Sequence, residues 1–309
     1  MTTAINQTMG RKEWLMLFLL SVLWGGSFFF VGIAVVELPP LTIVSLRLVL
    51  AALTLWLVMV CMGQRLPRSL NVWGAFFVMG LFNSAIPFSL IVWGQTHIAS
   101  GLASVLNATT PLFTVIMAGV FLADERISSR KIISIVIGFI GVVILIGPSS
   151  LDGLGVNVFA QLAVLGAAAS YGISGVYGRR FKQMKIPPLA TATGQLITSS
   201  LVLLPISILV ERPDQLMLPS ASVWLAVIAL AVFSTALAYI IYFRLLSSSG
   251  ITNLSMVTFL IPITAILLGV MVLDEVLRTE HLIGMFFIVA SLLGIDGRLM
   301  NKVLGKKKV

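Results

Sequence analysis

Arg47 stands inside an apolar run, seven residues past Pro40 in the stretch Pro-Leu-Thr-Ile-Val-Ser-Leu-Arg. At 1.5 Å rise per residue its Cα lies ~10 Å along a helix from the end that Pro40 opens. A guanidinium at that depth has three outlets. It can snorkel back to water, serve as a structural or gating group, or hold a substrate carboxylate or a helix-end carbonyl. Gln195 takes the corresponding place, seven residues past Pro188. Polar groups recur on one helix face as Ser100, Ser104, Asn107, Pro111, Thr114 and Ala118, and again as Ser255, Thr258, Pro262, Ala265 and Gly269. Such stripes serve close helix packing or line a cavity, and one stripe can do both.

The prolines favour the cavity. Pro111, Pro262 and Pro87 cannot donate to the carbonyls of Asn107, Thr258 and Asn83. Each released carbonyl thus belongs to a residue that is itself polar, which points to a wet or ligand-filled site over a plain kink. Among the aromatics, Trp24, Tyr171 and Tyr239 lie deep enough to stack on an organic solute or a cation. Ordinary packing is the alternative for all three. Trp93 and Tyr242 are expected to be interface anchors.

No pattern supports catalysis. The chain has no Gly-x-x-x-x-Gly-Lys phosphate loop and no His-Glu-x-x-His. Its two histidines, His97 and His281, sit at the ends of apolar runs. The expectation is no enzyme, no cofactor and no metal site. The 11 acidic residues all fall in tails, in loops or at the ends of apolar runs. A proton-coupled carrier commonly keeps a carboxylate or histidine within the membrane. For a solute carrier this would favour facilitated diffusion, with coupling through Glu125, Glu275 or His97 as the alternative.

The elements that position these residues follow from composition. Of 309 residues, 59% are hydrophobic and 10% charged, with mean hydropathy +1.09. Soluble domains carry roughly 25% charged residues, so a soluble enzyme or binding module is excluded. The net charge of +9 reads as membrane anchoring, with no nucleic-acid partner. The single Cys61 can close no intrachain disulfide. Ten apolar runs stand out: 14–36, 41–62, 72–93, 99–122, 132–146, 159–177, 189–210, 223–243, 251–273 and 282–295. Runs 132–146 and 282–295 are short for a span and must borrow polar flanks.

Counting Lys and Arg by side gives orientation. Seventeen fall in the N-terminal tail, the loops after even-numbered runs and the C-terminal tail, against Arg212 and Arg278 opposite. Both termini are expected in the cytoplasm, in a bacterial inner membrane.

The halves repeat. Val72-Trp73 recurs as Val223-Trp224, and an offset of 151 holds to Pro111 and Pro262. Upstream, Trp24-Gly25-Gly26-Ser27 matches Tyr171-Gly172-Ile173-Ser174, and Pro39-Pro40 matches Pro187-Pro188. Five runs per half force the second half to enter the membrane from the opposite side, giving inverted repeats. The expected fold is an all-α integral membrane protein with ten transmembrane helices in two inverted five-helix repeats. The repeats cover 14–147 and 158–297, and 298–309 forms a basic cytoplasmic tail.

Trp-Gly-Gly-Ser-Phe in the first run, Ser-Leu-Arg-Leu around Arg47, and Thr-Pro-Leu-Phe-Thr leading to Ala-Asp-Glu-Arg at 123–126 resemble the EamA transporters. These belong to the drug/metabolite transporter superfamily. The resemblance spans about residues 14–297 and implies a ten-helix exporter of metabolites, amino acids or drugs through a central cavity. The motifs specify a family, not a substrate. The small multidrug resistance relatives use a membrane-embedded glutamate, which this chain does not have. An exporter of small metabolites such as amino acids, working by alternating access, is the expected function. A channel or an intramembrane enzyme is the rival. The partners are then the lipid bilayer and a small-molecule substrate, and oligomerisation is not required with both halves in one chain. The candidate substrate-binding set is Trp24, Ser27, Arg47, Asn83, Ser104 and Asn107 from the first half. Tyr171, Ser174, Gln195, Ser234, Tyr239 and Thr258 come from the second.

Overall fold

The structure is a computed structural model and describes residues 9–122, 129–146, 156–254 and 256–296. Among them there is no strand. The chain begins with α1 (Arg11–Ala34) and α2 (Pro40–Cys61), the latter started by a proline whose missing N–H costs nothing in a first turn. Next come α3 (Leu70–Gly80), a π-helical turn (Leu81–Ala85) and α4 (Ile86–Gln95) in one continuous rod. A break at Ala108–Thr109 separates α5 (Ser100–Asn107) from α6 (Thr110–Phe121). α7 spans Ser129–Ile146.

In the second half α8 (Val156–Tyr177) leads through the short α9 (Arg179–Gln183) to α10 (Pro188–Glu211). α11 (Ala221–Ala231), a second π turn (Val232–Leu237) and α12 (Ala238–Leu254) form another rod, followed by α13 (Val257–Val272) and α14 (Thr279–Asp296).

Seven helical stretches are long and apolar enough to cross a membrane, and three shorter apolar helices lie at Lys131–Ile144, Leu260–Val272 and Thr279–Gly294. Large apolar side chains face outward throughout; Leu201 and Phe286 are each 69% exposed. Water does not tolerate so continuous an apolar surface, and lipid does. The chain is a membrane protein. The two short runs lengthen as expected, α7 taking in Ser129-Arg130-Lys131 and α14 Thr279-Glu280-His281. These two helices pack on each other through small residues. A Cβ on Gly141 would lie 2.8 Å from the Gly284 carbonyl oxygen, and the Ser291 hydroxyl donates to the Ser134 carbonyl.

One expected boundary moves. The polar run 244–250 reads as a loop, yet α12 continues through it to Leu254. Ser248 and Ser249 donate to the Leu245 carbonyl, so their hydroxyls are satisfied inside the helix and do not break it. Ser255, Asp124, Glu125 and the tail 298–309 lie outside the described residues.

The helices surround two large apolar clusters, and a smaller third one joins α3 to α9 through Phe76 and Phe181. Of the large ones, one centres on Leu17, Leu106, Val164 and Leu245, the other on Ile43, Leu55, Leu196 and Leu230. Tyr171 touches both. Where glycines were matched between halves, helices meet closely. A Cβ on Gly25 would stand 2.6 Å from Thr264 Cβ of α13, and one on Gly172 would stand 2.9 Å from the Phe113 carbonyl carbon of α6.

Candidate functional site

A cavity of about 870 Å³ lies among α1 to α6, α8 to α10, the two π turns, α12 and α13. Trp24, Ser27, Arg47, Asn83, Asn107, Tyr171, Ser174, Gln195, Ser234, Tyr239 and Thr258 all line it. Ser104 does not. It is fully buried and its hydroxyl donates to the Gly101 carbonyl at 2.6 Å, so this part of the polar stripe serves helix packing. Tyr242, expected at the membrane interface, instead lines the cavity with its ring 5.7 Å from Trp24. Its helix runs on to Leu254, which leaves Tyr242 more than two turns from the end. Trp93 is 38% exposed near the end of α4.

The π turns place the polar groups. Each inserts one residue into the helical register and frees a carbonyl, a device common at functional sites. Ser170 donates to the Phe82 carbonyl at 2.7 Å, and Thr235 to the Leu230 carbonyl at 2.8 Å. The turns thereby present Asn83 from one half and Ser234 and Thr235 from the other. Pro87 explains only the first, because the second has Ala238 at the equivalent position. The carbonyl released by Pro111 is also occupied internally. The Thr110 hydroxyl donates to the Asn107 carbonyl at 2.7 Å, so it is the Asn107 side chain that bears on the cavity. Asn107 Oδ1 and Ser234 Oγ are buried and have no hydrogen-bond partner among the described residues.

Two polar groups cross between halves. Asn83 Nδ2 donates to Gln195 Oε1 (3.3 Å) and to the Tyr239 hydroxyl (3.0 Å). Gln195 Nε2 donates to the same hydroxyl at 3.1 Å, and Ser174 donates to Asn83 Oδ1 at 3.0 Å. Opposite, Arg47 Nε donates to Thr235 Oγ1 at 2.9 Å, and the guanidinium carbon sits 3.7 Å from the centre of the Phe88 ring. Arg47 is 6% exposed. It turns inward and does not snorkel. The two residues that follow the paired prolines by seven positions thus each reach the opposite half's π turn. Thr235 and Phe88 are lining residues that sequence reasoning missed, although each adjoins a residue it had marked, Ser234 and Pro87.

Carboxylates close one end of the bundle. Glu37, just beyond α1, accepts from the Ser220 backbone N–H and hydroxyl, both at 2.6 Å, at the start of α11. Glu211, ending α10, accepts from the Leu41 and Thr42 N–H groups (2.8 and 2.6 Å) and from the Thr42 hydroxyl at the start of α2. Glu275, beyond α13, accepts from the Ser100 and Gly101 N–H groups (2.6 and 2.9 Å) at the start of α5. Gly269 makes room for it, since a Cβ there would collide with the Glu275 carboxylate. Each carboxylate satisfies orphan donors at the positive end of a helix, and each joins one half of the chain to the other. Lys182, Lys185 and Pro188 line the cavity at the opposite end, where both lysines are exposed.

The chain matches the EamA-like transporter family over residues 11–147 and again over 158–295. It belongs to that family. Relatives include an uncharacterized transporter of Archaeoglobus fulgidus, 27% identical over 88% of this chain and 94% of its own length. An uncharacterized inner membrane transporter of Escherichia coli, YedA, is 28% identical over 82% and 80%. Protein PecM of Dickeya dadantii is 28% identical over 87% of each. A crystal structure superposes with a TM-score of 0.66 at 21% identity, covering 96% of this EamA chain and 99% of the other, and shows a shared fold. Among the described residues there is no cluster of His, Cys, Asp or Glu suited to a metal ion.

Proposed function

We propose that this EamA protein is a secondary transporter that exports small organic metabolites by alternating access. In this reading its ten spans form two inverted repeats, 14–147 and 158–297, with both termini in the cytoplasm. The observation that carries it is a single cavity to which both repeats contribute paired residues: Trp24 and Tyr171, Asn83 and Ser234, Asn107 and Thr258. Inverted-repeat carriers build their site at such an interface. The positive-inside count places the exposed Lys182 and Lys185 on the cytoplasmic side and the three carboxylate caps outside. The conformation is then open inward and latched outward. One chain supplies both repeats, so no oligomer is required, and the name of the Escherichia coli relative supports an inner-membrane location.

The test is counterflow. Purified protein in liposomes preloaded with unlabelled solute should drive transient uptake of the labelled solute, with saturable rates. Conductance without exchange would identify a channel, and chemical conversion of the solute an enzyme.

A further inference from the structure

The cavity's charge is one-sided. Its lining holds Arg47, Lys182 and Lys185, and no Asp or Glu among the described residues. Arg47 is more than nine-tenths buried, yet only its Nε has a hydrogen-bond acceptor, the Thr235 hydroxyl. The guanidinium has five donors in a fixed fork, and among the described residues its two terminal nitrogens have no hydrogen-bond partner. No described carboxylate lies within ion-pair distance of it. A buried cation without a counterion is costly inside a membrane protein. The face of the Phe88 ring compensates only in part. What is missing is an oxyanion.

The rest of the wall says what should carry that oxyanion. Trp24, Phe28, Phe88, Tyr171 and Tyr242 line the same space, and a cavity of about 870 Å³ is of the size that encloses a small organic molecule. Asn107, Thr110 and Thr258 add neutral polar side chains to the wall. Among the described residues nothing anionic on the wall would pair with an ammonium. Lys182 and Lys185 at the mouth attract the same sign of charge that Arg47 would bind, and converging like charges of this kind focus a field on the entering solute.

Resting on the transporter reading above, we propose that the cavity is selective for organic monoanions. The ligand is a single carboxylate on an apolar or aromatic body, held by the terminal nitrogens of Arg47, and neither a cation nor a zwitterion satisfies the site as well. Arg47 would hold the carboxylate in a bidentate fork, a geometry that a lysine ammonium cannot reproduce.

Four probes with one phenyl body separate the charges: 3-phenylpropanoate, 3-phenylpropan-1-ol, 3-phenylpropan-1-amine and phenylalanine. Binding to the full-length protein in lipid nanodiscs, measured by calorimetry, should favour 3-phenylpropanoate over each of the others by about tenfold or more. Arg47→Lys should lose about tenfold for the propanoate and leave the alcohol unchanged. Lys182→Gln with Lys185→Gln, both on the exposed rim, should slow propanoate association and flatten its dependence on salt without touching the core. That pair keeps the proposal testable should the Arg47 variant fold poorly. Equal binding of all four probes, preference for the amine, or no binding by any of them would overturn it. Anion-selective binding without counterflow would leave this proposal standing and remove the transporter reading. Counterflow of the amine in preference to the propanoate would do the reverse.

Discussion

At the scale of single residues, the carboxylates at the latched end are the most exacting features. Glu37 lies in the connection after α1, where the Ser220 hydroxyl and then the Ser220 N–H hold its carboxyl below the ordinary value of 4.5. The sign follows. With its pKa lowered in the latched state, Glu37 contributes fully to closure above 4.5, and that contribution is lost as pH falls through the lower latched value. Labelling of Ser27→Cys by an impermeant outside reagent, in a Cys61→Ala background and normalised to a free thiol, should therefore be flat from pH 6 to 8. A rise across that range would make Glu37 a physiological proton sensor. Glu211→Gln removes a charge-assisted acceptor worth ~1–2 kcal/mol and should raise the same labelling rate about 5- to 30-fold. Glu275, named from the sequence as a coupling candidate, is engaged as a helix cap in the same way.

At the scale of elements, the π turns and the tight helix contacts decide where the side chains point. Thr235 serves two masters, accepting from Arg47 and donating to the Leu230 carbonyl. Thr235→Val leaves both unpaired and should cost ~1–3 kcal/mol per orphaned group, read as a lowered melting temperature in detergent, while Thr235→Ser keeps the wild-type value. Gly25→Leu drives a side chain into Thr264 and the Ile261 carbonyl and should abolish transport at matched expression. Gly74→Leu, on the same kind of helix but with open space around it, should not. Much of this was legible in the sequence. Apolar runs gave the helices, and the repeat with its prolines led to Asn83, Ser234 and the Arg47–Gln195 pair. Neither π turn was: Pro87 marked only a released carbonyl at Asn83, and no proline marks the second. Ser104 was misplaced because a helical stripe is wide enough to hold a packing residue beside a lining one. The carboxylate caps were out of reach, since their partners lie 169 to 183 residues away and no local pattern joins them.

At the scale of the molecule, two halves meet around one cavity, joined by three carboxylates at one end and lined at the other by two exposed lysines. Topology is checked with an impermeant thiol reagent on intact cells. Leu218→Cys, in the loop before α11, should label from outside, and Gln183→Cys, in α9, only after permeabilisation. Alternating access makes a stronger demand, that the latched end must part in every cycle. The decisive measurement places cysteines at Glu37 and Ser220 in the Cys61→Ala background, bridges them with a short reducible cross-linker and follows counterflow in liposomes. Transport should fall to background on cross-linking and return when the linker is cleaved. Undiminished counterflow through fully cross-linked protein would mean that this end never opens, and alternating access across it would be wrong.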